Sequence, residues 1–496
     1  MPERIVRREF PPTRSAMSTS EEIQPTATVK RLVPWLVAIG FFMESLDTTI
    51  LNTAVPVIAH SLKVPPLDMK AALASYTLSL AIFIPISGWM ANRFGTRQVF
   101  GSAIGVFILG SFLCGLSTDI HLLVACRVLQ GCGGAMMLPV GRLTLVRTFE
   151  KSELIRATSF VAIPGLVGPM LGPLVGGLIV AYFHWSVIFF VNIPIGLIGL
   201  SFVYRLLPNY RAAKNYPLDF IGLVLFSSGV GLLSYGLEVF GEHHLSVREQ
   251  AGLFAMSAAL LAAYGVHSVR TPHPLLRLGL VRIRSFRVAV IGNLLTRLGV
   301  GGLPFLLPLL YQVGLGFTPL QSGLMIMPQA LAAITFKFTL PVILRRFGYR
   351  RVLMVNTVML GVMLLLFSAI DVSTPGWLVA MLAFAYGFFT STQYTSMSTL
   401  AYADVSNEQV SGASTIVSTV QQMAVSFGVA SASLVAALFI PDHTRALAPE
   451  MIHGIHLAIR TLAGWTMISA FLFSELRASD GEAVSAHKAG AGAAAG

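Results

Sequence analysis

The sequence predicts an all-α, polytopic membrane protein with an internal repeat, and three observations carry this prediction. The 496 residues have a mean hydropathy of +0.74, and only 11% of them are charged. Hydrophobic residues make up 55% of the chain, more than a soluble core can bury, so most of it must face lipid or other membrane helices. A helix–basic turn–helix unit, GWMANRFGTRQVF at 88–100, returns in degenerate form as PVILRRFGYRRVL at 341–353. Such a repeat is typical of secondary transporters built from two related halves.

Composition excludes several other classes of protein. The net charge of +12 comes from short Lys and Arg clusters between apolar runs, a pattern that orients membrane helices and does not indicate nucleic-acid binding. Cys114, Cys126 and Cys132 lie inside apolar runs, so neither a disulfide framework nor a metal site is expected. His453 and His456 have helical spacing but no supporting acids, and no phosphate-binding GxxxxGK[ST] loop occurs. No metal, cofactor or ATP hydrolysis is therefore expected.

Windows long enough to cross about 30 Å at about 1.5 Å per residue give fourteen candidate spans. The first eight lie near 33–57, 70–92, 99–117, 121–143, 155–181, 185–206, 219–239 and 250–269. The last six lie near 286–311, 320–344, 350–370, 376–400, 409–440 and 454–476. The repeat pairs spans 1–6 with spans 9–14, so spans 7 and 8 are predicted to be an insertion between two six-helix bundles.

The chain accordingly divides into five predicted parts. A disordered tail (1–31), the N-terminal bundle (32–206), the inserted spans with a linker (207–285), the C-terminal bundle (286–476) and a second disordered tail (477–496) follow in order. Most Lys and Arg residues fall in the segments on the side of the N-terminus. The positive-inside rule therefore places both termini in the cytoplasm.

Several stretches carry a resemblance to a known family. LDTTILNTAVP at 46–56, together with the two basic loops, resembles the major facilitator superfamily and, within it, the fourteen-span drug:proton antiporter branch. Three further stretches match that branch: RVLQGCGGAMMLP at 127–139, GLVGPMLGPLVGG at 165–177 and HWSVIFFVNIPIG at 184–196. The resemblance covers about residues 32–476 and implies a proton-coupled exporter that works by alternating access.

The stretch in span 5 also has a physical interpretation. Its glycines recur every four residues and form a smooth helix face, while its prolines bend the helix and free backbone carbonyls. The resemblance identifies it as the antiporter helix, and close packing of an ordinary helix pair is the alternative. The residues concerned are Gly165, Gly168, Pro169, Gly172, Pro173, Gly176 and Gly177.

The first basic turn is predicted to be a gating loop at the inner membrane surface. Its residues are Gly88, Asn92, Arg93, Gly95 and Arg97. The glycine at 95 permits a tight turn, and the arginines can reach anionic lipid or helix ends. The family usually has Asp where this chain has Asn92, so one charge is missing from the gating cluster.

Acids inside a membrane span are costly and are functional candidates by default. By helical rise, Glu44 lies about 16 Å and Asp47 about 21 Å from the inner surface, while Arg127 in span 4 lies about 9 Å below the outer one. Asp47 and Arg127 therefore share a depth and can pair. Either the pair is permanently ionised and only orients helices, or Arg127 sets the proton affinity of a coupling site. The resemblance favours proton coupling by Asp47, Glu44 and Arg127.

The second half contains cations without evident acids at mid-membrane depth. Arg297 lies about 16 Å into span 9, whereas Lys337 lies closer to the inner surface and can snorkel. Arg297 is expected either to pair with Glu44 across the bundle interface or to meet an anionic substrate. The predicted substrate cavity comprises Glu44, Asn52, Gln130, Arg297, Gln393 and Gln421.

The sequence thus predicts a non-enzymatic, proton-coupled antiporter of amphipathic drugs, because an acidic site in an apolar cavity suits lipophilic cations. One alternative is an exporter of an organic anion such as a carboxylate or a metal chelate, and another is a transporter-like sensor that does not turn over. The expected partners are a small-molecule substrate, protons and membrane lipid, and the expected state is a monomer without nucleic acid.

Overall fold

The structure is a computed structural model that describes residues 27–149, 151–211, 217–239, 246–336, 339–406, 409–440, 448–477 and 480–481. All regular secondary structure in these ranges is helical. Most of both predicted tails and Lys337 lie outside them. Residues 27–31, assigned to the N-terminal tail from the sequence, instead form the first turn of a helix.

Seventeen helices are numbered here in chain order. They are α1 (Ala27–Ile50), α2 (Val55–Leu62), α3 (Lys70–Phe94), α4 (Thr96–Gly115), α5 (Ile120–Thr148), α6 (Lys151–Tyr182), α7 (Val187–Phe190), α8 (Asn192–Leu206), α9 (Phe220–Val239), α10 (Val247–Arg270), α11 (Arg284–Val300), α12 (Leu303–Leu309), α13 (Pro319–Thr335), α14 (Leu340–Phe367), α15 (Gly376–Leu400), α16 (Val410–Phe439) and α17 (Ala448–Ser469).

Ten helical segments within the described ranges are long and apolar enough to cross a membrane. They correspond to predicted spans 2–4, 6–9, 11, 13 and 14. The other four predicted spans are also helical, in α1, α6, α13 and α15, but they are not among these ten. The protein is thus a multi-pass membrane protein, and the count of fourteen spans stays a prediction.

The first helix of each predicted half is interrupted near its outer end, which the sequence did not indicate. Span 1 is predicted as one helix, but α1 ends at Ile50 and α2 begins at Val55 after a 3₁₀ turn. Span 9 likewise breaks at 301–302 between α11 and α12. The helix that follows each break has a proline in its first turn. Proline has no backbone N–H to donate to the preceding turn, so it can begin a helix but cannot continue one without the loss of a hydrogen bond.

The two basic turns have the same backbone arrangement. Gly95 joins α3 to α4 with φ of 100°, and Gly348 joins two helical segments within α14 with φ of 72°. Both values lie in the left-handed region, which glycine adopts without steric cost. The sequence repeat therefore corresponds to a repeated helix–turn–helix.

The two halves share a buried apolar cluster near one face of the molecule. An apolar cluster shared by both halves includes Ile50 and Ile58 with Leu303 and Leu310, near the ends of α1–α2 and α11–α12. A second buried cluster lies wholly within the N-terminal half, and a third lies mainly in the C-terminal half with the inserted helices. The shared cluster closes the halves at the face where α1 ends. The opposite face, at which α1 begins, is called the N-terminal face.

Candidate functional site

A buried ion pair lies near the end of α1. Nη1 of Arg127 on α5 lies 2.6 Å from Oδ2 of Asp47, and both side chains are only 1% exposed. This is the pair expected from the depth of the two residues. The bond is short and charge-assisted, the strong class of protein hydrogen bond.

Two amides complete the hydrogen bonding of the carboxylate. Asp47 Oδ1 accepts from Gln130 Nε2 at 2.8 Å and from Asn192 Nδ2 at 3.0 Å. Gln130 also donates to Ser111 Oγ at 2.7 Å. Four helices, α1, α4, α5 and α8, therefore meet at this carboxylate. Because all three of its partners are donors, the arrangement satisfies an ionised Asp47.

The guanidinium of Arg127 is also held by neutral groups. It donates to the side-chain oxygen of Gln130 at 2.7 Å and to the carbonyl of Ala72 at 3.3 Å. Its carbon lies 4.1 Å from the centre of the Tyr76 ring, a cation–π contact. Arg127 and Gln130 share a helix face because they are three residues apart on α5.

Three members of this network were not identified from the sequence. Asn192 lies within the matched stretch at 184–196, which could have indicated it. Ser111 and Tyr76 sit in ordinary apolar runs and carry no comparable signal. Their position depends on how α3, α4 and α8 turn toward α1.

Glu44 lies one helical turn from Asp47 but has a different environment. It is 6% exposed, and its Oε2 has no hydrogen-bond partner. The cation that acts most strongly on it is Arg142 of α5, whose side chain is exposed. The structure shows no ion pair between Glu44 and Arg297, so the pairing expected across the bundle interface is wrong.

Arg297 is held by neutral groups in the C-terminal half. Its Nε donates to Asn293 Oδ1 at 2.8 Å, and its guanidinium carbon lies 3.8 Å from the centre of the Tyr394 ring. No carboxylate pairs with it among the residues that the structure describes. Equal depth did not bring the two charges together, because depth says nothing about lateral separation.

The remaining predicted cavity residues divide into buried and accessible side chains. Gln130 and Gln393 do not line a cavity, since both are 0% exposed. Gln393 bridges two helices, donating to Thr357 at 2.7 Å and accepting from Asn356 at 2.8 Å. Gln421 is exposed and Asn52 is half-buried.

A small cleft opens between α11, α15 and α16. Asn293, the partner of Arg297, is part of its lining, which is otherwise mostly apolar. The full lining is Ala289, Val290, Asn293, Met397, Ser398, Ala401, Val417 and Val420.

The glycine face of α6 packs mainly within its own half. Backbone or side-chain atoms of α1 and the following turn lie against Gly168, Gly172 and Gly176, so no side chain fits there. Gly177 faces the other half, where an added Cβ would lie 2.5 Å from the carbonyl oxygen of Pro319, and the carbonyl of Pro173 lies against Gly323 of α13. Pro173 contributes its carbonyl, which accepts from Thr53 Oγ1 at 3.2 Å. Pro169 is half-buried, and Gly165 is helical in a part of α6 whose packing is not described.

The predicted gating loop is bound within the N-terminal half. Asn92 Oδ1 accepts from Arg147 Nη2 at 2.8 Å, so an amide occupies the place of the family's carboxylate. The backbone N–H of Arg97 donates to Asn209 Oδ1 at 3.1 Å. Arg93 and Gly88 are exposed, and Arg97 is half-buried.

Comparison with known proteins identifies the family. The model of the Major Facilitator Superfamily matches residues 37–429. The chain belongs to the Major Facilitator Superfamily. It is 40% identical over 405 residues to a protein of Cronobacter sakazakii named multidrug resistance protein MdtD, covering 82% of this chain and 86% of that one. A protein of the same name from Escherichia coli is 40% identical over 421 residues, covering 84% and 88%.

Solved structures share the fold at low sequence identity. The POT family transporter PepTSo superposes with a TM-score of 0.66 at 14% identity, over 92% of this chain and 98% of that one. At this identity the likeness concerns the fold alone. Membership of the superfamily and the named relatives make the protein a transporter of small molecules and not an enzyme.

Proposed function

We propose that this superfamily member is a proton-coupled antiporter that exports amphipathic small molecules across a bacterial inner membrane. The observation that carries the proposal is the juxtaposition on α1 of a fully bonded acid, Asp47, and an unpartnered buried acid, Glu44. The name of the relatives, multidrug resistance protein, supports drugs as substrates. Fourteen spans, cytoplasmic termini and a monomeric state complete the proposal.

Glu44 is the group at which proton and substrate compete. An ionised carboxylate without a hydrogen-bond partner is costly in a buried site, so it needs either a proton or a cation to neutralise it. A lipophilic cation that binds beside Glu44 therefore displaces a proton, and a returning proton displaces the cation. Mutual displacement at one carboxyl group is the simplest basis for antiport.

The Asp47–Arg127 pair couples this exchange to the conformation of α1. Asp47 lies three residues before α1 ends, and the broken segment beyond it contacts the C-terminal half, where Gln312 Nε2 donates to the carbonyl of Thr53 at 2.7 Å. Opening of the face at which the halves meet pulls this segment away from its contacts. We propose that this movement separates Asp47 from Arg127 and makes its carboxylate accessible to a proton from outside.

The direction of opening follows from the closed face. If the N-terminus is cytoplasmic, the halves are separated toward the cytoplasm, and Arg142 is exposed on that side. Substrate then enters from the cytoplasm or the inner leaflet and leaves after the halves exchange their open and closed faces. Arg93 and Arg97 at the basic turn, Asn92 with Arg147, and the glycine helix α6 support this movement.

A second candidate function is export of an organic anion. It is favoured by one observation, namely that Arg297 has only neutral partners and adjoins a mostly apolar cleft. A carboxylate could bind the free edge of the guanidinium through two parallel hydrogen bonds. In this case Arg297→Lys should lose most of the anion affinity, because a lysine cannot reproduce the forked geometry.

Flux measurements in proteoliposomes test the proposal. The purified protein is reconstituted, a pH gradient is imposed, and uptake of cationic dyes is compared with uptake of aromatic carboxylates. Glu44→Gln and Asp47→Asn should each abolish gradient-driven transport while leaving the protein folded, and Glu475→Gln, an exposed acid, is the matched control. Undiminished gradient-driven flux in Glu44→Gln would exclude Glu44 as the exchange site. Carboxylate transport that Arg297→Lys abolishes, without dye transport by the parent, would establish the second candidate instead.

A further inference from the structure

The inserted helices α9 and α10 have a defined place between the two halves. Helix α9 contacts both α3 of the N-terminal half and α16 of the C-terminal half, which also contact each other. Phe226 and Val230 of α9 are buried in the same apolar cluster as Ala413 and Ile416 of α16, and Leu78 of α3 packs against that cluster. Helix α10 lies outside α9 and does not reach α3 or α16 as closely. Helix α9 therefore lies in the groove between the halves.

Hydrogen bonds fasten this hairpin to the chain that leads into the C-terminal half. Tyr264 Oη of α10 accepts from the backbone N–H of Leu276 at 2.8 Å, and Ser268 Oγ donates to the carbonyl of Leu276 at 2.8 Å. Asp219, just before α9, accepts from the N–H of Leu275 at 3.1 Å and lies 2.7 Å from Nε2 of His267. From residue 275 the chain runs through a short 3₁₀ segment directly into α11.

The connection on the other side belongs to the N-terminal half. Asn209 accepts from the N–H of Arg97, the carbonyl of Tyr210 accepts from the N–H of Thr96, and Arg211 Nε donates to the carbonyl of Phe94 at 3.1 Å. These bonds fix the chain up to residue 211 to the turn between α3 and α4. The boundary between the two groups of contacts therefore falls between Arg211 and Asp219.

The contacts of α9 with α3 and with α16 are both apolar. Within the described residues, no hydrogen bond joins α9 to either helix, and Leu78 contributes the apolar surface of α3. An apolar helix surface without directional bonds can slide, whereas the bonded linker holds its position relative to α11. The directional bonds of the hairpin thus go to the linker that enters α11, whereas its contact with the N-terminal half through α3 is apolar only.

We propose that the inserted hairpin moves as one body with the C-terminal half, and that α9 slides along α3 as the halves rock. In this role α9 covers the groove between α3 and α16 against lipid in both conformations. The seam on the other side, where α6 meets α13, has no covering helix among the described residues. The inference rests on the alternating access of the proposed function but is independent of the substrate and its charge.

Three spin-label distances test this proposal. Single exposed positions near the N-terminal face are available in each body: Phe202 in the N-terminal half, Ile221 on α9 and Val410 at the start of α16 are 46%, 62% and 39% exposed. Pairs of cysteines are placed at these positions in a full-length background whose three native cysteines are replaced by alanine and whose transport has been verified. Distance distributions are measured by double electron–electron resonance in nanodiscs at acid and alkaline pH.

The distance from Phe202 to Val410 reports the rocking of the halves and should shift between the two conditions. The Ile221–Val410 distance should then stay constant, and the Ile221–Phe202 distance should shift together with the first. A constant Ile221–Phe202 distance with a shifting Ile221–Val410 distance would show that the hairpin follows the N-terminal half, and would overturn the inference alone. An unchanged Phe202–Val410 distance would refute the proton-driven alternation itself, and the inference with it.

Discussion

Replacement of Arg127 by Gln is the most direct test of the buried network. Removal of one partner from a buried ion pair costs about 3–5 kcal/mol, because the other charge remains buried without compensation. Gln130 and Asn192 still donate to Asp47 in the variant, so we expect a loss of about 3 kcal/mol. The double variant Asp47→Asn with Arg127→Gln no longer buries a charge at these two positions and should recover about 1–2 kcal/mol of this loss.

The assay is reversible unfolding of the purified protein in mixed micelles, followed by circular dichroism. The single variants, the double variant and the parent form a cycle that isolates the interaction between the two side chains. Arg351→Gln, at an exposed arginine, is the matched control and should change stability little. A double variant as unstable as Arg127→Gln would show that the pair contributes no mutual stabilisation, and the proposed network would be wrong.

Three further predictions follow from other parts of the structure. Gly177→Ala places a Cβ 2.5 Å from the carbonyl oxygen of Pro319, where the two halves touch. It should shift the Phe202–Val410 distance distribution toward the conformation in which the halves are open at this contact. Gly231→Ala, with open space around the Cβ, is the control and should leave the distribution unchanged. Asn92→Asp replaces the neutral amide acceptor of the Arg147 guanidinium by a carboxylate and should raise stability by about 1 kcal/mol. A lower thermal midpoint would contradict this. Burial raises the pKa of Asp219, but hydrogen bonds from His267 and from two backbone N–H groups outweigh burial, so the net pKa is lowered. The stabilisation of the linker by Asp219 should therefore be present above the ordinary carboxyl pKa. It should be lost as pH falls through the lowered pKa. Protection of the Leu275 amide from hydrogen exchange, corrected for the intrinsic pH dependence of exchange, should therefore fall at acid pH in the parent. Asp219→Asn should remove that pH dependence.

Several features of the protein follow from the sequence because they are one-dimensional. The length of each apolar run is set by the thickness of the bilayer, and the positions of the basic turns are set by glycine, which alone enters the left-handed region freely. Depth is also one-dimensional, since it is the number of residues multiplied by the helical rise. For this reason the sequence predicts that Asp47 and Arg127 share a level, and the structure brings them into contact.

Contacts that depend on the rotation and lateral position of helices were decided only by the tertiary structure. Glu44 and Arg297 share a depth as well, but they belong to different halves, and Arg297 bonds to Asn293 of its own half instead. Gln393 and Gln421 are equally polar, yet the rotation of α15 buries the first against α14 and that of α16 exposes the second. The side of the molecule on which α9 docks is not encoded in its hydropathy either, because an apolar helix surface is compatible with lipid and with either half. It is determined by the packing of Phe226 and Val230 and by the hydrogen bonds of the linker that follows α10.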